Sequence, residues 1–99
     1  SLDVMIERCK VLEAQALGGG GNTDLAIKEW RKLAVRLGLS RPRPIEYYDA
    51  WYHIALLYEK KADKARARQT LQNVMRLSPT VGNPEMKAKY QDLLAKIGK

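Results

Sequence analysis

Eight side chains near the middle of this 99-residue chain restrict its local geometry more than any other feature. Trp51, Ile54, Ala55 and Tyr58 stand at i, i+3, i+4 and i+7, which puts them on one face of a helix. Ala67, Leu71 and Val74 stand at i, i+4 and i+7 and define a second helical face. The polar stretch from Glu59 to Arg66 separates the two, so the spacing predicts an antiparallel helix pair. Ala55 and Ala67 are small enough for the backbones to approach at the close end of the usual range of about 8–10 Å. Trp51 and Tyr58 supply large apolar area. Asp63 is placed to cap the second helix. Pro79 ends it, because proline lacks the donor a helix needs and disfavours helical angles at Ser78.

The pattern resembles the tetratricopeptide repeat, whose signature is W-x2-L-G-x2-Y, then A-x3-F, then P, over about 34 residues. Trp51, Tyr58, Ala67 and Pro79 match it, while Ile54, Ala55 and Leu71 replace its leucine, glycine and phenylalanine. The resemblance covers 48–79 well and 22–38 fairly. It implies an all-α fold of antiparallel hairpins stacked as a short right-handed solenoid, here about five helices with a C-terminal capping helix. It also implies a non-enzymatic scaffold that holds a peptide or a partner helix in a concave groove. The first helix of each repeat lines that groove, which points to Asp49, Tyr52, His53, Leu56 and Lys60 as partner-binding positions. Some members of the family clamp a chaperone's terminal carboxylate. Asp49 would repel such a ligand.

An upstream echo extends the pattern. Ala26, Trp30, Leu33 and Gly38 repeat the spacing of Ala67, Leu71, Val74 and Pro79 with a period of 41 residues. The excess over the ordinary repeat sits in 39–47, stiffened by Arg41-Pro42-Arg43-Pro44. Met5, Cys9 and Leu12 stand in for Trp51, Ala55 and Tyr58 if the first hairpin loop is longer, and Gly18–Gly21 accounts for most of that length. Arg8 then falls at the position of Ile54, a poor match. The glycine run reads as a natural flexible loop, an engineered linker or a phosphate cradle. The cradle reading lacks the preceding strand and the closing Gly-Lys-Ser/Thr. Asn22 or Thr23 caps the next helix, and Gly38 ends it as a left-handed cap. After Pro79, Asn83 with Pro84 starts a final helix. Strict register would give it Glu85, Ala88, Lys89 and Asp92 as inner positions, and a shift of one residue improves this. Lys87, Lys89, Asp92 and Lys96 are then left facing water, as a terminal cap requires. The expected organisation is one domain over 1–99: a degenerate repeat (1–38), a connection (39–47), a well-matched repeat (48–81) and a cap (82–99).

Charge divides the chain. Residues 1–59 carry eight basic and eight acidic side chains, whereas 60–99 carry ten and three, which accounts for the net +7. The densest basic run is Lys60, Lys61, Lys64, Arg66 and Arg68, with Lys60/Lys64 and Lys64/Arg68 as i, i+4 neighbours on a helix. This patch reads as a solvated face, or as a surface for an acidic protein, anionic lipid or nucleic acid. No aromatic residues interleave with it as a nucleic-acid stacking platform needs. The alternative to a peptide groove is therefore a self-associating segment of a longer array, or an anion-surface binder through 60–68.

Chemistry has little to work with. The single histidine, His53, has Asp49 one turn before it, but Cys9 lies on another helix at an apolar position, as a small buried hydrophobe. Ser1, Ser40 and Ser78 sit at a terminus or in loops. No catalytic residue, metal ligand set or cofactor is expected. The expected partner is another protein or peptide, or a second copy of the chain, rather than nucleic acid or membrane. No signal peptide or membrane span is evident, which suggests the cytoplasm. The start at Ser1 suggests a segment of something longer.

Overall fold

Four of the five helices begin on a side-chain cap. The computed structural model describes residues 1–98 and contains α1 (Leu2–Leu17), α2 (Thr23–Leu37), α3 (Ile45–Lys60), α4 (Lys64–Leu77) and α5 (Pro84–Ile97). Ser1 accepts from the Val4 amide at 3.4 Å and Asn22 from Leu25 at 3.1 Å. Asp63 accepts from Arg66 at 3.1 Å, and Asn83 from Met86 at 2.8 Å with Pro84 at the first helical position. Each such cap is worth about 1 kcal/mol. The exception is α3, which starts after Pro44 without a side-chain cap. It begins at Ile45, so the last three residues of the 39–47 stretch are helical. The final residue of the 82–99 segment, Lys99, lies outside the described residues.

The helices form an all-α stack in two layers, 38 × 35 × 18 Å overall. In front, α3 lies between α1 and α5; α2 and α4 form the back layer. α3 packs against α2, α4 and α5, and joins α1 through side chains. Ala50, Ile54, Ala55 and Leu57 on α3 are fully buried, as are Ala26 and Ala34 on α2 and Ala67 and Leu71 on α4. Alanines at these crossings let the helices approach closely. The echo is real in packing terms: Ala26, Trp30 and Leu33 occupy the same kind of buried positions as Ala67, Leu71 and Val74. On α5 the buried residues are Met86, Tyr90, Leu93 and Ile97, which is the register shifted by one residue. The Tyr90 hydroxyl donates to the Tyr48 carbonyl at 2.6 Å and fastens α5 to α3.

Three local expectations are corrected. Gly38 is right-handed, with φ −67°, so it is not a left-handed cap. Its lack of a side chain is used differently: a Cβ there would come within 3.0 Å of the Tyr47 ring. Trp51 is only partly buried, and the fully enclosed indole is that of Trp30. Lys87 on α5, expected to face water, is partly buried. Within the glycine run, Gly19 adopts φ +85° and closes α1 through bonds from Gly19 N to Ala16 O and Gly20 N to Gln15 O, both 3.2 Å. Gly21 lies so close to the α1 backbone that a Cβ would meet Ala16 N at 2.7 Å. Gly19 is thus set by its turn conformation in open space, and Gly21 by its close approach to the helix.

The same closing motif ends α3 without a glycine. Asp63 N bonds to Tyr58 O and Ala62 N to Glu59 O, each at 2.9 Å, and Ala62 takes the left-handed position at φ +66°. An L-residue with a Cβ is disfavoured there by roughly 1–2 kcal/mol. Ala62→Gly is therefore expected to stabilise the fold by about 0.5–1 kcal/mol after the entropy of the added glycine is counted. Urea unfolding followed by circular dichroism measures this.

Candidate functional site

The front layer is held together by one charged joint. His53 of α3 reaches across to α1, where its Nδ1 lies 2.9 Å from both carboxylate oxygens of Glu13. Its Nε2 lies 3.3 Å from Asp49 Oδ2, one turn earlier on the same helix. The ring stacks face to face on Trp30 of α2, with centroids 4.4 Å apart and planes 4° from parallel. Burial alone would push the imidazole pKa down. The hydrogen bonds and charges of Asp49 and Glu13 outweigh it and raise the pKa to about 9. His53 is thus an imidazolium at neutral pH, donating from both nitrogens and lying over an indole face. A doubly clamped cation of this kind is an inter-helix fastener and a poor general base. The Glu13 partner is the element sequence reasoning missed: it lies 40 residues away, and no local spacing signals it.

The other side of α3 meets α5. Tyr52 packs against Tyr90 with centroids 6.0 Å apart, and Lys89 lies over the Tyr52 ring at 4.6 Å. Lys89 also reaches Asp49 at 3.5 Å, and Lys96 pairs with Glu59 at 3.0 Å. Asp49 is held below the usual carboxylate range, chiefly by its hydrogen bond to His53, with Lys89 adding to this against the effect of burial. Two of the lysines expected to face only water, Lys89 and Lys96, therefore bridge α5 to α3. Of the five expected groove positions, Asp49, Tyr52, His53 and Leu56 are partly buried and Lys60 is exposed.

Between α1 and α3 the front opens into a depression of about 340 Å³. Its apolar lining is Ile6 of α1 with Trp30 and Leu33 of α2, and its polar lining is Asp3, Glu7, Glu46 and Asp49 with Lys10. Glu7 and Lys10 stand 3.8 Å apart. Four carboxylates against one ammonium make this part of the front acidic, although the chain as a whole is +7.

The basic run is dispersed by the turn. Lys60 ends α3 and Lys64 begins α4, so they are not i, i+4 neighbours on one helix, contrary to expectation. Lys61 pairs with Asp24 of α2, and Arg66 lies 3.6 Å from Asp63. Lys60, Lys64 and Arg68 make no ion pair among the described residues. Cys9 is buried, and its thiol is pushed up to about 11 by burial and the nearby Glu29 charge, against the pull of Arg8. A thiol of that acidity is a packing residue. Among the described residues, no group of three or more His, Cys, Asp and Glu side chains is placed to hold a metal ion. Among the described residues, no helix is long and apolar enough to cross a membrane.

Residues 49–80 match the family described as tetratricopeptide repeat. No curated protein and no solved structure matches the chain.

The joint has a pH signature. A pKa raised from 6.5 to about 9 contributes stability that is fully present below pH 6.5 and is lost as pH rises through about 9. The chain is expected to lose on the order of 1–3 kcal/mol over that interval. His53→Gln should be less stable at pH 6 and flatter across the same range. Because there is one histidine, its imidazole resonances in an NMR titration report the joint without ambiguity.

Proposed function

We propose that this chain binds a basic peptide or partner helix along its front layer, a reading supported by the match of residues 49–80 to the tetratricopeptide repeat, a unit of protein–protein interaction scaffolds. The observation that carries the proposal is the depression between α1 and α3. It offers the partly exposed Ile6, backed by the enclosed Trp30 and Leu33, under a rim of Asp3, Glu7, Glu46 and Asp49. An apolar floor with a few convergent polar groups is the usual form of a recognition site. The sign of the rim selects against acidic segments and steers basic ones. A partner presenting an apolar side chain flanked by lysine or arginine satisfies both features. We extend the binding path beyond this depression over α3, past the partly buried Tyr52 and Leu56 to the exposed Lys60, where the charge reverses. A ligand lying along it would therefore be basic at the Glu46 end and neutral or acidic at the Lys60 end.

Asp49 and His53 serve this groove as positioned wall rather than as free ligands, because their charges are already paired. Asp3 and Glu46 are exposed and make no ion pair among the described residues, so they are the groups free to engage a partner cation. Peptide-array binding followed by fluorescence anisotropy on the selected peptides tests this reading. Binders should be enriched in Lys or Arg beside an apolar residue. Asp3→Lys combined with Glu46→Lys should weaken them by about tenfold or more without loss of helicity. Binders that are acidic, or that ignore the double reversal, would refute the groove.

A further inference from the structure

The back layer carries a second cavity of about 550 Å³, with opposite chemistry. Trp51 and Tyr58 of α3 line it, seven residues apart and so on one face. Arg31 contributes from α2, and Arg66, Gln69, Thr70 and Asn73 from α4. None of these seven residues is acidic. Asp63, which caps α4, sits 3.6 Å from Arg66 Nε, which leaves the terminal guanidinium nitrogens of Arg66 available.

The hydrogen bonds already made leave donors in excess. Arg31 donates to the Tyr58 hydroxyl at 2.9 Å, which fixes the guanidinium and frees the phenolic proton for another acceptor. Asn73 Oδ1 accepts from Arg76 at 3.4 Å, which leaves its amide nitrogen to donate. The Thr70 hydroxyl is committed to the Arg66 carbonyl at 2.7 Å. The Trp51 indole nitrogen, like that of Trp30, is buried and makes no hydrogen bond to another protein group among the described residues. Buried donors without partners are rare in native proteins, and Trp51 belongs to the lining of a cationic cleft. The volume falls within the range of about 300–1,000 Å³ typical of ligand sites, more than a lone oxyanion requires.

We propose that the cleft between α2 and α4 binds a phosphomonoester, with Arg31 and Arg66 clasping the phosphate oxygens, the Tyr58 hydroxyl and Asn73 amide completing the shell, and the Trp51 ring forming the wall beside it. Two guanidinium groups, of which Arg66 gives only its Nε to Asp63, suit a dianion with three equivalent oxygens, because each planar fork meets two oxygens at once. The carrier of the phosphate, a partner's phosphorylated side chain or a small phosphorylated molecule, occupies the remaining volume. This site lies on the opposite layer from the peptide groove and does not depend on it.

The test uses the whole chain, labelled with ¹⁵N. The two indole N–H resonances, of Trp30 and Trp51, separate the faces of the molecule. Inorganic phosphate, O-phosphoserine, a neutral phosphoserine peptide and its unphosphorylated twin are titrated at constant ionic strength against chloride. The phosphate ligands should move the Trp51 indole resonance and leave that of Trp30 in place. Arg31→Gln and Arg66→Gln should each weaken the effect by about tenfold or more. Arg66 is exposed, so its variant keeps the test valid if Arg31→Gln impairs folding. Tighter binding of the phosphopeptide than of O-phosphoserine would place the phosphate on a protein partner; equal binding would place it on a small molecule. A Trp51 resonance that stays fixed, that chloride or the unphosphorylated twin moves as far, or that responds equally in the Arg66 variant would overturn the site.

Discussion

Everything in this molecule is referred to α3. It packs against α2, α4 and α5, and its buried stripe of Ala50, Ile54, Ala55 and Leu57 has no solvent-facing alternative. Small residues at the crossings bring α2 and α4 close, and that closeness leaves Trp51 and Tyr58 at the back and Asp49, Tyr52 and His53 at the front. Both candidate surfaces are thus two sides of one helix. A change that shifts α3 along its axis would disturb both surfaces together, whereas a change on α1 or α4 would touch one.

The two surfaces differ in sign, and the difference comes from ion pairing as much as from composition. Residues 1–59 balance to zero in sequence, yet their acids gather at the α1–α3 depression while Arg31 projects to the back. Residues 60–99 are strongly basic, but Lys61, Lys89 and Lys96 are used to tie helices together. What remains for a partner is the difference between the charge present and the charge already paired. Formal net charge therefore misleads about which ligand each face accepts.

The helical hairpin, its Asp63 cap, the echo at Ala26 to Leu33 and the shifted α5 were all legible, because each rests on spacing or on a cap within a few residues. Trp51 was legible as helical but not as half-exposed, since periodicity assigns a face and not its depth. The basic run misled because a helical wheel drawn through 60–68 ignores the turn at Ala62, a residue whose left-handed conformation its identity does not advertise. Gly38 misled in the opposite sense, having a conformation open to any residue but a tight contact that excludes a side chain. The charged joint was out of reach: Glu13 and His53 are neighbours only after two hairpins have packed, and the Arg31–Tyr58 bond at the back likewise spans 27 positions. Long-range polar pairs leave no periodic trace.

The stack of His53 on Trp30 has an optical consequence. A protonated imidazole held parallel to an indole at 4.4 Å is placed to accept an electron from the excited ring, so the emission of Trp30 is expected to be quenched. Trp51, partly exposed at the back, has no such neighbour and supplies most of the light. The intrinsic fluorescence of the native chain is then nearly a single-site signal from the back layer. Its rise at alkaline pH, as the imidazole loses its proton, would mark the moment when the front layer begins to let go.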